Sequence, residues 1–232
     1  LTWRGLLSSL DFMEREIEAL KKILQDTERI AVLTGAGISA ESGVPTFRGA
    51  DGLWQNHRAT ELATPEAFSR NPKLVWEFYN WRRGLISQVT YNAAHKALAE
   101  FESKIPHFTL ITQNVDGLHL LAGSKNVLEI HGNLWKVRCT ACHEITTDRS
   151  SQLAPLPKCQ ECGGRLRPHV VWFGEALDGT LLRQAITASR ESQVMLVIGT
   201  SSLVQPAASL ALEAKSGGAT VAEIHLEKNP HS

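Results

Sequence analysis

Val32-Leu33-Thr34-Gly35-Ala36-Gly37-Ile38-Ser39-Ala40-Glu41-Ser42-Gly43-Val44-Pro45-Thr46-Phe47-Arg48-Gly49 is the stretch from which the fold is read. The apolar run from Ile30 to Leu33 has the character of a strand buried on both faces, as in a parallel sheet. It breaks at Gly35 and Gly37, and small residues follow through Ala40. A strand ending in glycines and leading into a helix start offers bare backbone N–H groups to a pyrophosphate, and a Cβ would hold the phosphate away. On its own Gly35-x-Gly37-x-x-Ala40 is equally a tight strand-to-helix turn with no ligand. The acidic ribose-binding residue of a dehydrogenase, expected about 20 residues on, is not in place. The chain instead runs into Pro45-Thr46-Phe47-Arg48-Gly49, a rigid proline, an aromatic ring and a cation that suit a flap over a bound nucleotide.

Composition narrows the field. A chain of 232 residues can bury a substantial core, as one large domain or as a large domain with a small satellite. Lys+Arg and Asp+Glu are balanced at 24 each, so nothing argues for a nucleic-acid or membrane-surface partner. No apolar run approaches the roughly 18 residues that suggest a bilayer span. Leu1 to Leu10 is a poor secretory signal, with one arginine and no small-residue cleavage site. The expected location is the cytoplasm, or the mitochondrion if a targeting segment has been trimmed from a chain that lacks an initiator Met.

Asp11 to Gln25 reads as an amphipathic helix with a packing role. The region Ala50–Tyr91, rich in aromatics and poor in strand patterns, reads as a helical insertion. Thr64-Pro65 and Asn71-Pro72 are helix starts, each with a capping side chain followed by proline at the first helical position. On the helix after Asn71, Tyr79 and Arg82 stand three apart and share a face. A phenol beside a guanidinium can bind a carboxylate. The plainer reading is an aromatic core stripe with a solvated arginine.

Strand Phe108–Thr112 leads into Gln113-Asn114-Val115-Asp116-Gly117-Leu118-His119. Polar residues crowded at the end of a buried strand mark the ligand edge of an open α/β sheet. The amides and the carboxylate could hold a carboxamide ring and a ribose, or Asp116 could simply cap the next helix. Strand Val127–Ile130 delivers His131-Gly132 to the same edge, where a neutral imidazole can act as a general base. The histidines at 57, 119, 143 and 169 receive no role. Gly199-Thr200-Ser201-Ser202, after strand Val194–Ile198, is a second small-residue turn suited to ribose and phosphate.

Cys139-Thr140-Ala141-Cys142 and Cys159-Gln160-Glu161-Cys162 use all four cysteines of the chain. Two Cys-x-x-Cys pairs at this separation fit a zinc ribbon, and four thiolates leave no open position for water, so the metal would be structural. The other possibility is a pair of disulfides in a secreted domain. Beyond the ribbon, Arg167 to Glu175 reads as an extended segment whose edge could pair with a peptide by strand addition, or as a return strand. A helix over Asp178–Arg190, one over Pro206–Lys215 and a last strand over Thr220–Leu226 complete the alternation. The fold class is α/β, a Rossmann-like doubly wound parallel sheet with a small helical plus zinc-ribbon domain inserted. The expected division is 1–49, 92–132 and 171–232 for the Rossmann-like domain, 50–91 for the helical insertion and 133–170 for the ribbon.

Gly35-Ala36-Gly37-Ile38-Ser39 followed by Gly43-Val44-Pro45-Thr46-Phe47-Arg48, the Gln113-Asn114-x-Asp116 block, Glu129-Ile130-His131-Gly132, the cysteine pairs and Val171-Trp172-Phe173-Gly174-Glu175 together resemble the sirtuins, NAD-dependent protein-lysine deacylases. The resemblance runs from about Ile30 to Glu227. It implies NAD as co-substrate, one structural zinc ion and acylated-lysine proteins or peptides as partners, with the chain acting as a monomer. It implies His131 as catalytic base with Asn114 and Asp116 positioning ribose and water. It implies cofactor contacts from Gly35, Ala36, Gly37, Phe47, Arg48, Trp54, Gln113, Asn114, Asp116, Gly199, Thr200, Ser201, Leu226 and Glu227. Substrate backbone contacts fall on Val171, Phe173 and Gly174. The Tyr79-x-x-Arg82 pair and the small Ala63 are similar to the branch that removes succinyl and malonyl groups, with deacetylation alongside. The implied chemistry transfers the acyl group to ADP-ribose and releases nicotinamide. Two competing readings are a mono-ADP-ribosyltransferase and a non-catalytic NAD- or zinc-binding module.

Overall fold

The computed structural model describes residues 3–45, 53–55, 57–201 and 203–225, and not the side chains of residues 3–12 and 53. Phe47, Arg48, Leu226 and Glu227, all expected at the cofactor, lie outside the described residues.

Helix α1 (Trp3–Gln25) begins earlier than the expected amphipathic stretch and leads into β1 (Arg29–Thr34). A short α2 (Ala36–Ala40) follows the glycine turn. The next segment is not purely helical. A two-residue antiparallel pairing of β2 (Leu53–Trp54) with β3 (His57–Arg58) precedes α3 (Ala59–Leu62), α4 (Pro65–Arg70) and α5 (Pro72–Ile86). Thr64 accepts the N–H of Ala67, and Asn71 accepts that of Leu74, so both prolines sit where a missing N–H costs nothing. Then come α6 (Ala93–Glu102), β4 (His107–Thr112), α7 (Leu118–Leu121) and β5 (Val127–Glu129). Three antiparallel strands follow, β6 (Gly132–Cys139), β7 (Ile145–Thr147) and β8 (Leu166–Val170). The chain closes with α8 (Gly179–Glu191), β9 (Val194–Ile198), a 3₁₀ turn (Ala207–Ser209) leading into α9 (Leu210–Ser216), and β10 (Thr220–Ile224).

The main sheet is parallel throughout, in the order β10-β9-β1-β4-β5. Alternation along β1 sends Ala31 and Leu33 to one face and Ile30 and Val32 to the other. The first pair packs with Ala185 of α8 and Leu210 and Ala214 of α9. The second packs with Leu98 of α6, and Leu20 and Leu24 of α1 lie against that cluster. The strand order reverses direction between β1 and β9, the switch point at which open α/β sheets take their ligands.

The helical insertion and the antiparallel strands share one core. Trp76, Phe78 and Tyr79 of α5 pack with Leu134, Trp135 and Val137 of β6 and with Trp172. The indole N–H of Trp76 donates to the Leu166 carbonyl at 3.0 Å, so the ring is buried with its one polar group satisfied. Truncating such a side chain to alanine costs about 3–5 kcal/mol. This second body stands over the C-terminal edge of the main sheet and makes one wall of a cleft.

Candidate active site

The cleft has a volume of about 740 Å³ and lies where β1, β4 and β9 end. Its base is made by two interlocked turns. Gly35 N–H donates to Ile198 O at 3.1 Å and Gly37 N–H donates to Gly199 O at 2.8 Å. A Cβ on Gly35 would stand 2.7 Å from the Thr200 Cβ, and one on Gly37 would stand 2.7 Å from the Gly199 carbonyl oxygen. The glycines are therefore required for close approach of one turn to the other. This corrects the simple picture of bare glycine amides awaiting a phosphate: those of Gly35 and Gly37 are already bonded. Ala36, Thr200 and Ser201 face the cleft beside them.

The end of β4 supplies the polar wall. Gln113 donates its amide to Thr200 Oγ1 at 2.9 Å, spanning the sheet toward β9. Asn114 Nδ2 donates to the Gly35 carbonyl at 3.0 Å and to Ser39 Oγ at 3.1 Å. Ser39 Oγ donates to Asp116 Oδ2 at 2.8 Å, and Asp116 Oδ1 accepts the Leu118 N–H at 2.9 Å. The N-cap of α7 is Gly117 and not Asp116 as considered from the sequence, but the Asp116 carboxylate still holds the first N–H of that helix while facing the cleft. The Asp116 carbonyl accepts the Trp135 indole N–H at 2.8 Å, which pins the loop to β6.

His131 follows β5 and faces the same cleft. Its Nδ1 lies 3.1 Å from the Gln113 carbonyl. A carbonyl only accepts, so Nδ1 carries the proton and Nε2 is left as the basic nitrogen. Burial lowers the imidazole's pKa from its ordinary value, and the bond to Gln113 partly offsets this. The ring is therefore neutral at pH 7, the state a general base needs.

The wall toward α5 holds Ala63, Tyr79 and Arg82. Tyr79 is 2% exposed, and its hydroxyl accepts the Trp172 indole N–H at 2.9 Å. Burial pushes the phenol up to about 12, so the oxygen keeps its own proton as a donor at neutral pH. Burial also lowers the Arg82 pKa, opposed by attraction to Tyr79 and Asp116. Its guanidinium lies 5.9 Å from the Phe78 ring centroid. An arginine stays charged in such surroundings, where its field is strengthened by the low dielectric.

Val171, Phe173 and Gly174 line the cleft opposite. The segment is not an open edge in the sense expected. Val171 N–H donates to His131 O and Phe173 N–H to Ala63 O, both at 2.9 Å, while Trp172 N–H donates to Glu175 Oε2. Among the described residues the Gly174 N–H and the carbonyls of Val171 and Phe173 carry no hydrogen bond. Arg167 holds the turn by a paired contact to the Glu175 carboxylate and by stacking 3.4 Å from the Trp172 ring centroid.

Trp54, expected at the cofactor, is packed instead in the aromatic core against Phe78 at 5.8 Å and Trp81 at 6.3 Å, and does not line the cleft. Ser39, His95 and Trp172 were not picked out as site residues from the sequence, yet Ser39 and Trp172 line the cleft and His95 supports Ser39 from behind. His95 Nε2 lies 3.4 Å from Ser39 Oγ. Only position carries that information: Ser39 is one small residue in a run of small residues.

Cys139, Cys142, Cys159 and Cys162 are unbridged thiols whose sulfurs all lie within 4.8 Å of one another. Cys139 Sγ is 3.5 Å from Cys162 Sγ, and Cys142 Sγ is 3.7 Å from Cys159 Sγ. Zinc–sulfur bonds of about 2.3 Å place tetrahedral sulfurs about 3.8 Å apart, so the set fits a closed structural zinc site. A disulfide would require about 2.05 Å, which excludes the bridged alternative. The main cleft in turn fits a dinucleotide: it sits at the switch point, has the volume of a ligand site and is walled by amides, hydroxyls and small residues.

The Sir2 family model matches residues 35–206. An NAD-dependent protein deacylase of Aquifex aeolicus (strain VF5) is 56% identical over 202 residues, covering 87% of this chain and 84% of that protein. The crystal structure of a Sir2 homolog–NAD complex superposes with a TM-score of 0.87 at 48% identity, covering 92% of this chain and 84% of that one. A Sir2–p53 peptide–NAD+ structure superposes with a TM-score of 0.82 at 34% identity, covering 93% and 89%. The match extends over both the parallel sheet and the four-cysteine ribbon, and the chain belongs to the Sir2 family of NAD-dependent protein deacylases.

Proposed function

We propose that this protein removes short acyl groups ending in a carboxylate, succinyl and malonyl above all, from protein lysines in the cytoplasm, with NAD as co-substrate. The coarser activity, NAD-dependent protein deacylation, is that of the family and of relatives about half identical to this chain. The observation that carries the finer reading is the placement of Tyr79 and Arg82 in the wall of the cleft that also holds His131. A buried phenol with a proton to donate, beside a guanidinium, suits an acyl carboxylate and is a poor wall for a bare methyl group. Ala63 keeps the neighbouring wall shallow.

NAD, when bound, supplies a nicotinamide leaving group and the ADP-ribose that accepts the acyl group. The remaining work is assigned to the chain. Nε2 of His131 takes a proton from the ribose hydroxyls. Gln113, Asn114 and Asp116 hold the nicotinamide and ribose, while Ala36, Thr200 and Ser201 hold the phosphate side. Val171, Phe173 and Gly174 align the peptide so that the acyl-lysine enters beside Trp172.

A charge-assisted hydrogen bond contributes about 1.5–3 kcal/mol, equivalent to roughly ten- to hundredfold in rate. Arg82→Met should lower kcat/KM for succinyl-lysine peptide by that factor and leave acetyl-lysine peptide within about threefold of the parent. Nicotinamide release followed by mass spectrometry reads both. Equal loss on the two substrates, or none on either, removes the acyl-carboxylate assignment. Labelled ADP-ribose appearing on protein, and not on a free acyl ester, would instead favour the ADP-ribosyltransferase reading.

A further inference from the structure

His119 is a buried histidine that the chemistry of the cleft leaves unused. It lies on α7, 2% exposed, with its ring 4.7 Å from that of His95. Its Nε2 is 3.0 Å from Thr34 Oγ1. That hydroxyl is 2.8 Å from Thr112 Oγ1, and Thr112 Oγ1 accepts the backbone N–H of Asn114 at 3.0 Å. His119 Nδ1 is buried and, among the described residues, has no hydrogen-bond partner.

The direction of these bonds follows from which nitrogen is left alone. A proton on Nδ1 would leave a buried donor unmet, the rarer defect in folded proteins. A proton on Nε2 leaves only a lone pair unmet. Nε2–H therefore donates to Thr34, and Thr34 donates to Thr112. Burial, with a smaller push from His95, drives the His119 pKa down to about 3, so no second proton joins the ring near neutrality.

Thr34 is the last residue of β1, and its carbonyl also accepts the Gln113 N–H at 3.0 Å. Thr112 is the last residue of β4. One imidazole thus couples the two strand ends from which the glycine turn and the Gln113–Asp116 loop emerge.

We propose that His119 is a positioning residue for Asn114, whose place in the cleft it sets through Thr34 and Thr112 by way of a fixed Nε2–H donor. The kinetic consequence rests on the deacylase reading, whereas the hydrogen-bond arrangement does not.

Two measurements test it on the full chain. Long-range ¹H–¹⁵N NMR of the imidazoles should show His119 as the neutral Nε2–H tautomer from about pH 5 to 8. An Nδ1–H tautomer, or titration inside that window, overturns the proposal. In kinetics, misplacement of Asn114 in His119→Leu should lower kcat at saturating NAD by about 10- to 100-fold, a larger factor than the loss of NAD affinity measured by calorimetry. His119→Gln, which restores an N–H donor, should recover most of that loss. Thr34→Val, which removes the receiving hydroxyl with little change of shape, should behave as His119→Leu does and serves if the latter fails to fold. A folded His119→Leu with parental kcat and only a lower melting temperature overturns the proposal, as does a folded His119→Gln no better than leucine. Should the parent protein act on no acyl-lysine peptide, the deacylase reading fails, and the NMR result alone decides the hydrogen-bond arrangement.

Discussion

Trp172 donates its indole N–H to the hydroxyl of Tyr79 across 2.9 Å, joining residues 93 apart in the chain. The bond engages one lone pair of the phenol oxygen and leaves its proton for a partner other than Trp172, and Tyr79 lines the cleft together with Arg82. Tyr79→Phe removes that donor and also leaves the buried Trp172 N–H unmet. The expected result is about a five- to thirtyfold loss of kcat/KM toward succinyl-lysine peptide, with a melting temperature lowered by a few degrees. Steady-state assays and a thermal scan of the variant check both halves, and retention of full desuccinylase activity would remove Tyr79 from the acyl site.

The acid limb of the activity should reflect His131. Burial lowers its pKa below the usual value of about 6.5, and the reaction needs the neutral ring. Activity should therefore rise with pH, reach half its plateau below about pH 6.5 and be flat through neutrality. A profile of kcat/KM against pH decides the matter, a midpoint at or above about 7 counting against the assignment. His131→Asn should abolish turnover while leaving NAD binding measurable.

Stability should fall in mild acid for a related reason. His119 holds a pKa of about 3 in the folded chain, while its unfolded counterpart titrates near 6.5. Between these values the unfolded state binds the extra proton. Stability is fully present above about pH 6.5 and is lost as pH falls toward 3, by up to about 1.4 kcal/mol per pH unit for this one group. Burial lowers the His95, His131 and His169 pKa values as well. Urea midpoints at pH 7.5 and 5.0 should differ accordingly, and His119→Gln should reduce the difference.

Metal analysis should find one zinc ion per chain. Chelation, or Cys159→Ser, should melt the strands β6 to β8 and lower the melting temperature, since binding energy at such sites is folding energy. Circular dichroism before and after chelation, with recovery on adding zinc, is the check. A protein indifferent to chelation and devoid of zinc would contradict the tetrahedral arrangement of the four sulfurs.

Much of this was legible in the sequence because it is local. The apolar run before Gly35, the two Cys-x-x-Cys pairs and the caps at Thr64 and Asn71 each depend on residues a few positions apart. Placing Gln113 and His131 on one sheet edge needed only the rule that parallel strands present their ligands at their C-terminal ends.

What was hidden depends on pairs brought together by the fold. Nothing in Gly35-x-Gly37 reveals that a second turn 164 positions later fills the space beside it, so the amides looked available when they are not. Trp54 was expected at the cofactor from the resemblance alone, and the approach of Phe78 and Trp81 from a distant helix places it in the core. His119 was one histidine of nine, and its meaning came from Thr34 on a different strand.

Arg83, the neighbour of Arg82 on α5, is 1% exposed and faces the other way. It donates to the carbonyls of Leu134 at 2.8 Å and Ser150 at 2.9 Å, reaches both the carbonyl and the carboxylate of Asp148, and stacks 5.1 Å from the Trp135 ring centroid. The helix that carries Tyr79 and Arg82, the proposed acyl-carboxylate pair, is thereby moored to the strands the cysteines hold in place. Partial loss of the ion would let that mooring slacken before the catalytic edge came apart. On the proposed reading, discrimination among acyl chains would fade first, so that fidelity as well as survival would depend on the metal.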